Sequence, residues 1–132
     1  MEVDLREKRK KRVKQTAEVF TPKETVEKML NDLPTEVWTD REKEFLDPCC
    51  GNGNFLVEVY RYKVERGHDP THALSTIYGV DIMKDNIAEC KLRLYHLAKK
   101  YNADLKRCQD ILTKNIVCAD ALTYDYSFGE DE

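Results

Sequence analysis

Three aspartates close three apolar runs. Asp47 follows Glu44-Phe45-Leu46, Asp81 follows Ile77-Tyr78-Gly79-Val80, and Asp120 follows Asn115-Ile116-Val117-Cys118-Ala119. The first is succeeded at once by Pro48-Cys49-Cys50-Gly51-Asn52-Gly53. Two closely spaced glycines let the backbone come near a ligand. The pattern is not a dinucleotide fingerprint, which would need a third glycine where Leu56 stands, and no P-loop lysine is present. An acid directly before the glycines suits a ligand carrying positive charge better than a pyrophosphate. S-adenosylmethionine has the matching chemistry: an ammonium, a sulfonium, a ribose diol and an exocyclic amine. Asp47 can take the methionine amine directly or through water. Asp81 can accept from both ribose hydroxyls. Asp120 can accept from the adenine amine, with Ile82 and Leu122 as apolar walls. The plainer alternative is that each aspartate only caps the helix after its strand. Three in register beside a Gly-x-Gly loop favour the ligand.

The elements between these acids must position them. Thr21-Pro22-Lys23-Glu24 has the form of a helix start, with Thr21 as cap, Pro22 in the first turn and Glu24 completing a capping box. Val26, Met29, Leu30 and Leu33 then mark one apolar helix face, which Pro34 stops. From Asn54, the residues Leu56, Val59, Tyr60 and Val64 predict a second helix ending at Gly67, and Asp69-Pro70 opens a short third. Asp85 or Asn86 starts a helix whose face is Ile87, Cys90, Leu94, Leu97, Ala98 and Tyr101. Leu105, Cys108, Ile111 and Leu112 predict one or two further helical turns. Strands alternating with helices imply right-handed crossovers and a parallel sheet. In such sheets ligands sit beyond the carboxyl ends of the strands, where all three aspartates fall.

Composition excludes several classes. A chain of 132 residues, 41% hydrophobic and 36% charged with 5 Gly and 4 Pro, is neither collagenous nor low-complexity. A net charge of −3 excludes a polycation that coats nucleic acid. Positive charge is concentrated at 6–14, REKRKKRVK, which forms a solvated arm or helix or contacts phosphates. No apolar h-region follows that run, and no stretch approaches the ~20 residues that span a bilayer. Five cysteines without C-x-x-C suggest reduced thiols and a cytoplasmic location. His68 and His72 have a zinc-ligand spacing but no paired cysteines, so no metal site is assigned.

Four segments in order resemble a known family, the adenine-specific (N6) DNA methyltransferases of restriction–modification and phage type. Phe45-Leu46-Asp47-Pro48-Cys49-Cys50-Gly51-Asn52-Gly53-Asn54-Phe55-Leu56 resembles their first motif. Glu18-Val19-Phe20-Thr21-Pro22, upstream, resembles their E-x-F-T-P element, whose threonine region closes over the methionine carboxylate. Tyr78-Gly79-Val80-Asp81-Ile82 resembles the second motif and Cys118-Ala119-Asp120-Ala121-Leu122 the third. The resemblance implies a partial Rossmann-like class I methyltransferase fold, α/β, with a three-stranded parallel sheet in the order 3-2-1 flanked by helices. It implies S-adenosylmethionine as cofactor, bound by Phe20, Thr21, Asp47, Pro48, Cys49, Gly51, Asn52, Gly53, Asp81, Ile82, Asp120, Ala121 and Leu122. Residues 1–17 are then a basic arm, 18–122 a cofactor-binding half-domain and 123–132 an acidic tail.

The family's catalytic Asn/Asp/Ser-Pro-Pro-aromatic loop is missing, because Pro22, Pro34, Pro48 and Pro70 are nowhere adjacent. No catalytic residue is therefore assigned. The chain alone is expected to be inactive, with DNA a weak partner or one met only by a complete enzyme. A non-catalytic cofactor-binding or protein-interaction module is the alternative. In the family's sheet the first strand is central. Without the fourth strand, Phe45–Asp47 is expected to be an open edge, covered by self-association, a complementing chain or the Tyr124–Phe128 tail.

Overall fold

The computed structural model describes residues 21–129. The basic run at 6–14, Phe20 and the last three acids lie outside the described residues. Helix α1 (Lys23–Asn31) and the short helix α2 (Thr35–Thr39) lead into strand β1 (Phe45–Asp47). Helices α3 (Asn54–Glu65) and α4 (Pro70–Ser75) connect it to β2 (Ile77–Asp81), and α5 (Lys84–Lys100) and α6 (Leu105–Asn115) connect β2 to β3 (Ile116–Cys118). The strands are parallel in the order β1-β2-β3, the arrangement written 3-2-1 above. Phe45 faces Ile77, Asp47 faces Gly79, and Asp81 faces Cys118. This is the architecture of a partial methyltransferase fold.

Most boundaries follow from local chemistry. The long helices α3 and α5 stop in the same way. After α3, Gly67 adopts φ 90°, its N–H donates to Val64, and the His68 N–H donates to Lys63. After α5, Asn102 takes the left-handed conformation, and the Asn102 and Ala103 N–H groups donate to Lys99 and Ala98. Both are Schellman closures, which satisfy carbonyls a helix end leaves open. Asp69 caps α4 by accepting from the His72 N–H, as its position before Pro70 predicts.

Four details differ from the sequence expectation. The capping box at Thr21 does not form: Pro22, extended at ψ 152°, is the N-cap, and no side chain caps α1. Thr21 sits one residue too early for its hydroxyl to serve the first turn. Helix α5 begins at Lys84, ahead of Asp85 and Asn86, with Met83 before it. Helix α6 runs on through Asn115 and leaves β3 only Ile116–Cys118, because the Asn115 amide donates to the Ser75 and Ile77 carbonyls and is buried. Helix α2 had no periodic signal. Trp38 anchors it by stacking on Phe45 at 5.4 Å.

Alternation along the strands gives the sheet two unlike faces. Phe45, Ile77, Gly79 and Ile116 point toward the helices, where Leu56, Val59, Tyr60, Cys90 and Leu94 form the core, each fully buried. Leu46, Tyr78, Val80 and Val117 point the other way. That second face is covered in part by the tail: Phe128 is buried and packs on Tyr78 at 4.8 Å. Leu46 remains 46% exposed. The tail therefore lies on the face of the sheet. No described backbone hydrogen bond joins it to the free edge of β1.

Lys63, on α3, is the unusual member of the interior. Its ammonium donates to the Lys43 carbonyl and Thr76 Oγ1 and lies over the Phe45 ring. Burial pulls its pKa down to about 8, against the acids Asp40, Glu42 and Glu44. It ties the entry of β1 to the entry of β2.

Gly79 is the tightest point of the helix–sheet packing. A Cβ there would lie 2.7 Å from Leu56 Cδ1 and 3.1 Å from Cys50 Cβ. Overpacking of this kind costs ~1–3 kcal/mol. Gly79→Ala should lower the denaturant midpoint by a corresponding amount without changing the slope. An unchanged midpoint would show that the layers can separate there.

Candidate functional site

The carboxyl ends of all three strands emerge on one side of the molecule, and each delivers its aspartate into a tight turn. Asp47 Oδ1 accepts from the Cys49 N–H at 3.1 Å. Asp81 Oδ1 accepts from the Met83 N–H at 2.8 Å. Asp120 Oδ1 accepts from the Leu122 N–H at 2.9 Å. Each acid thus stabilises its own turn, and the helix-capping alternative does not hold: α3 and α5 start at Gly53 and Met83 with no side-chain cap. Each such bond uses a fraction of the acceptor capacity of a carboxylate.

Asp81 does more. Its second oxygen accepts from the Gly51 N–H at 2.9 Å, thirty residues away, while the Cys50 N–H donates to the Val80 carbonyl. The glycine loop after β1 is therefore fastened to the end of β2. Gly51 and Gly53 adopt φ 55° and 97°. A Cβ on Gly53 would also lie 2.8 Å from Cys90 Sγ, so glycine is required there by conformation and by space. Below the loop, the Cys50 thiol is pushed far up in pKa by its hydrogen bond to Cys90 and by burial. It is a neutral packing group, not a nucleophile.

Asp47 is held differently. Burial, and then the neighbouring Asp81 carboxylate, raise its pKa above the ordinary carboxylate value, against the lowering effect of the Cys49 N–H. Two acids share this end of the sheet with no described cation between them. Such a pair favours a positively charged guest. Asp120, at the far end of the row, is exposed, as are Ile82 at 63% and Leu122 at 94%. Pro48 and Cys49 are exposed, Asn52 is buried, and Thr21 and Ala121 are half-buried. The arrangement is an open shelf running from β1 to β3.

Residues that periodicity did not single out support the loop. The Asn52 amide donates to Glu89 Oε2 at 2.9 Å, and Arg93 Nη1 donates to the Asn52 carbonyl at 3.0 Å and to Asn54 Oδ1 at 2.8 Å. Glu89 and Arg93 are four apart on α5 and read as a surface ion pair. Their only sequence signal is that they flank Cys90 on the buried stripe. Asn52 Oδ1 is buried and has no hydrogen-bond partner among the described residues.

Other features lie away from the shelf. A cavity of about 540 Å³ opens among Asn31, Trp38, Arg41, Arg66 and His68, at the opposite end of α3, and contains none of the strand-end acids. His68 Nε2 contacts the Trp38 carbonyl and His72 pairs with Glu42, so the two histidines do not converge. Among the described residues no cluster of three metal-ligating side chains occurs, and no helix is long and apolar enough to cross a membrane.

The shelf, the glycine loop and the parallel order define a methyltransferase-like α/β unit. The sequence profile of the N-6 DNA Methylase family matches residues 2–126, and the chain belongs to that family. It is 34% identical over 88 residues to the type II methyltransferase M.VspI of Vibrio sp., covering 67% of this chain and 19% of that protein. It is 47% identical over 45 residues to the type I restriction enzyme MjaVII methylase subunit of Methanocaldococcus jannaschii, covering 34% of this chain and 7% of that protein. An uncharacterized adenine-specific methylase of Mycoplasma pneumoniae is 44% identical over 45 residues, covering 32% and 11%. The chain spans less than a fifth of the length of each of these relatives. No solved structure matches it.

The raised pKa of Asp47 gives a stability test. A carboxyl whose folded pKa is raised costs stability when ionised, above the unfolded pKa, and that cost disappears as pH falls below it. In Asp47→Asn the amide oxygen can still accept from Cys49, and the charge is gone. At pH 7 the variant should be as stable as wild type or more so, by up to ~1 kcal/mol, with the advantage shrinking on acidification. A clear loss of stability at pH 7 would show that the ionised carboxylate is needed by the fold itself.

Proposed function

We propose that this chain is the S-adenosylmethionine-binding portion of a DNA adenine-N6 methyltransferase. The observation that carries this is the row of three strand-end carboxylates, with the glycine loop bonded to the middle one. When bound, the cofactor supplies a methyl group on a sulfonium. The ammonium belongs with Asp47, whose burial beside Asp81 calls for a cation. The ribose hydroxyls belong with Asp81. The adenine amine belongs with Asp120, between Ile82 and Leu122. Gly51, Asn52 and Gly53 form the floor, and Asn52 Oδ1 offers a buried acceptor awaiting a donor. Pro48 and Cys49 border the amino-acid end, Ala121 borders the base, and the resemblance implies that the Phe20-Thr21 element closes over the methionine part. In this reading 1–17 is a basic arm, 18–122 the cofactor half-domain and 123–132 a tail.

Methyl transfer to adenine needs acceptors on a poorly nucleophilic amine and an aromatic platform for a flipped base. No Pro-Pro-aromatic segment occurs in the sequence. The present chain should therefore bind cofactor without methylating DNA unless a complementing chain is added. The free edge of β1 and the exposed Leu46 beside it are where such a chain, or a second copy, would dock.

Calorimetry with S-adenosylhomocysteine tests this. Binding is expected, and Asp81→Ala should weaken it by ~1.5–3 kcal/mol through lost charge-assisted hydrogen bonds. Undiminished binding in Asp47→Ala, Asp81→Ala and Asp120→Ala alike would overturn the assignment. Transfer of labelled methyl groups to DNA by the pure chain, above a Gly51→Trp control, would overturn the expected inactivity. Cofactor binding that no partner chain converts to activity would favour the non-catalytic module.

A further inference from the structure

We propose that Arg93 is a positioning residue that sets the shape of the shelf at its β1 end and, with it, the affinity for the amino-acid end of the ligand. The inference rests on the cofactor reading given above and adds to it a residue on a different element.

A single nitrogen of the guanidinium, Nη1, serves both the Asn52 carbonyl and Asn54 Oδ1. Arginine is donor-only, so the Asn54 amide can face it only with its oxygen. The amide nitrogen is thereby directed the other way, where it donates to the Thr21 carbonyl at 3.0 Å. One side chain on α5 thus fixes the middle of the Gly-Asn-Gly loop, the first residue of α3 and the backbone just before α1. Asn52 and Asn54 lie 41 and 39 residues before Arg93, and Thr21 lies 33 residues before Asn54.

The base of this brace is rigid. Cys90 and Leu94, on either side of Arg93 along α5, are fully buried. Glu89, one turn earlier, takes the Asn52 side-chain amide. Held from both sides, Asn52 keeps Oδ1 buried and without a protein partner among the described residues. The charges are also sorted. Asp47 stands just before the loop, and the guanidinium supports the loop from α5. A zwitterionic amino-acid group meets a carboxylate for its ammonium and a positively biased loop for its carboxylate. The nucleoside end is served by Asp81 and Asp120, which Arg93 does not contact; Asp81 meets the loop through the Gly51 N–H, one residue before the Asn52 carbonyl that Arg93 holds.

The test compares two ligands by calorimetry on the full chain. S-adenosylhomocysteine carries the amino-acid end; 5′-methylthioadenosine has the same nucleoside and thioether without it. Arg93→Met should reduce affinity for the first by ~10-fold or more and leave the second within ~2-fold. Asn54→Ala removes both the acceptor that Arg93 holds and the donor toward Thr21, so it should show the same selectivity and serves if Arg93→Met does not fold. Thermal midpoints of all proteins are measured alongside. Equal losses for both ligands, or no loss for either, would overturn the inference while leaving the cofactor reading intact. Wild-type chain that binds neither ligand would overturn the cofactor reading, and this inference with it.

Discussion

The hydrogen bond from the Gly51 N–H to Asp81 Oδ2 is the constraint on which the functional end of the molecule depends. It is buried, short at 2.9 Å and closes a separation of thirty residues. Hydrogen bonds to an ionised acceptor are about twice as strong as neutral ones. Together with the bond from Cys50 N–H to the Val80 carbonyl, it sets the glycine loop against the end of β2. The parallel register supplies the rest. Because β1 and β2 run together with Asp47 opposite Gly79, the acid of β1 ends beside the acid of β2. Burial raises the pKa of Asp47, and the nearby Asp81 carboxylate adds to that. Two carboxylates are thus brought together at some cost, each also holding backbone N–H groups of its turn.

Such an arrangement demands close packing behind it. Gly79 has no side chain because Leu56 and Cys50 occupy the space. Gly53 has none because Cys90 does. Loop, α3 and α5 are pressed together at these two contacts, and Arg93 and Glu89 secure the loop from the α5 side. The unfinished part is the opposite face of the sheet. There Tyr78 and Phe128 pair, while Leu46 stays half exposed beside the free edge of β1.

Much of this was legible in the residues. The strand ends could be located because apolar runs stop at acids, the parallel pairing followed from alternating strands and helices, and the strand order from the family resemblance. The helix closure at Gly67 is local, and glycine signals it; the matching closure at Asn102 was not foreseen. What the sequence did not show is tertiary in origin. Thr21 fits a capping box by spacing, yet the chain enters α1 through extended Pro22 and lends its Thr21 carbonyl to Asn54. Asn115 looks like the start of a strand, and its buried amide, bonded to two carbonyls near β2, keeps it in α6. Helix α2 exists because Trp38 finds Phe45, a contact no periodicity contains. Glu89 and Arg93 have the spacing of a solvated ion pair and serve instead as supports for the loop.

Amide chemical-shift mapping of the labelled chain, titrated with S-adenosylhomocysteine, tests most directly whether the three strand ends act as one site. The account predicts saturable shifts at Cys49, Gly51, Gly53, Met83 and Leu122, the amides in and around the three aspartate turns. Shifts concentrated at Asn31, Trp38, Arg66 and His68 around the cavity at the other end of α3, or no saturable shifts at all, would contradict it.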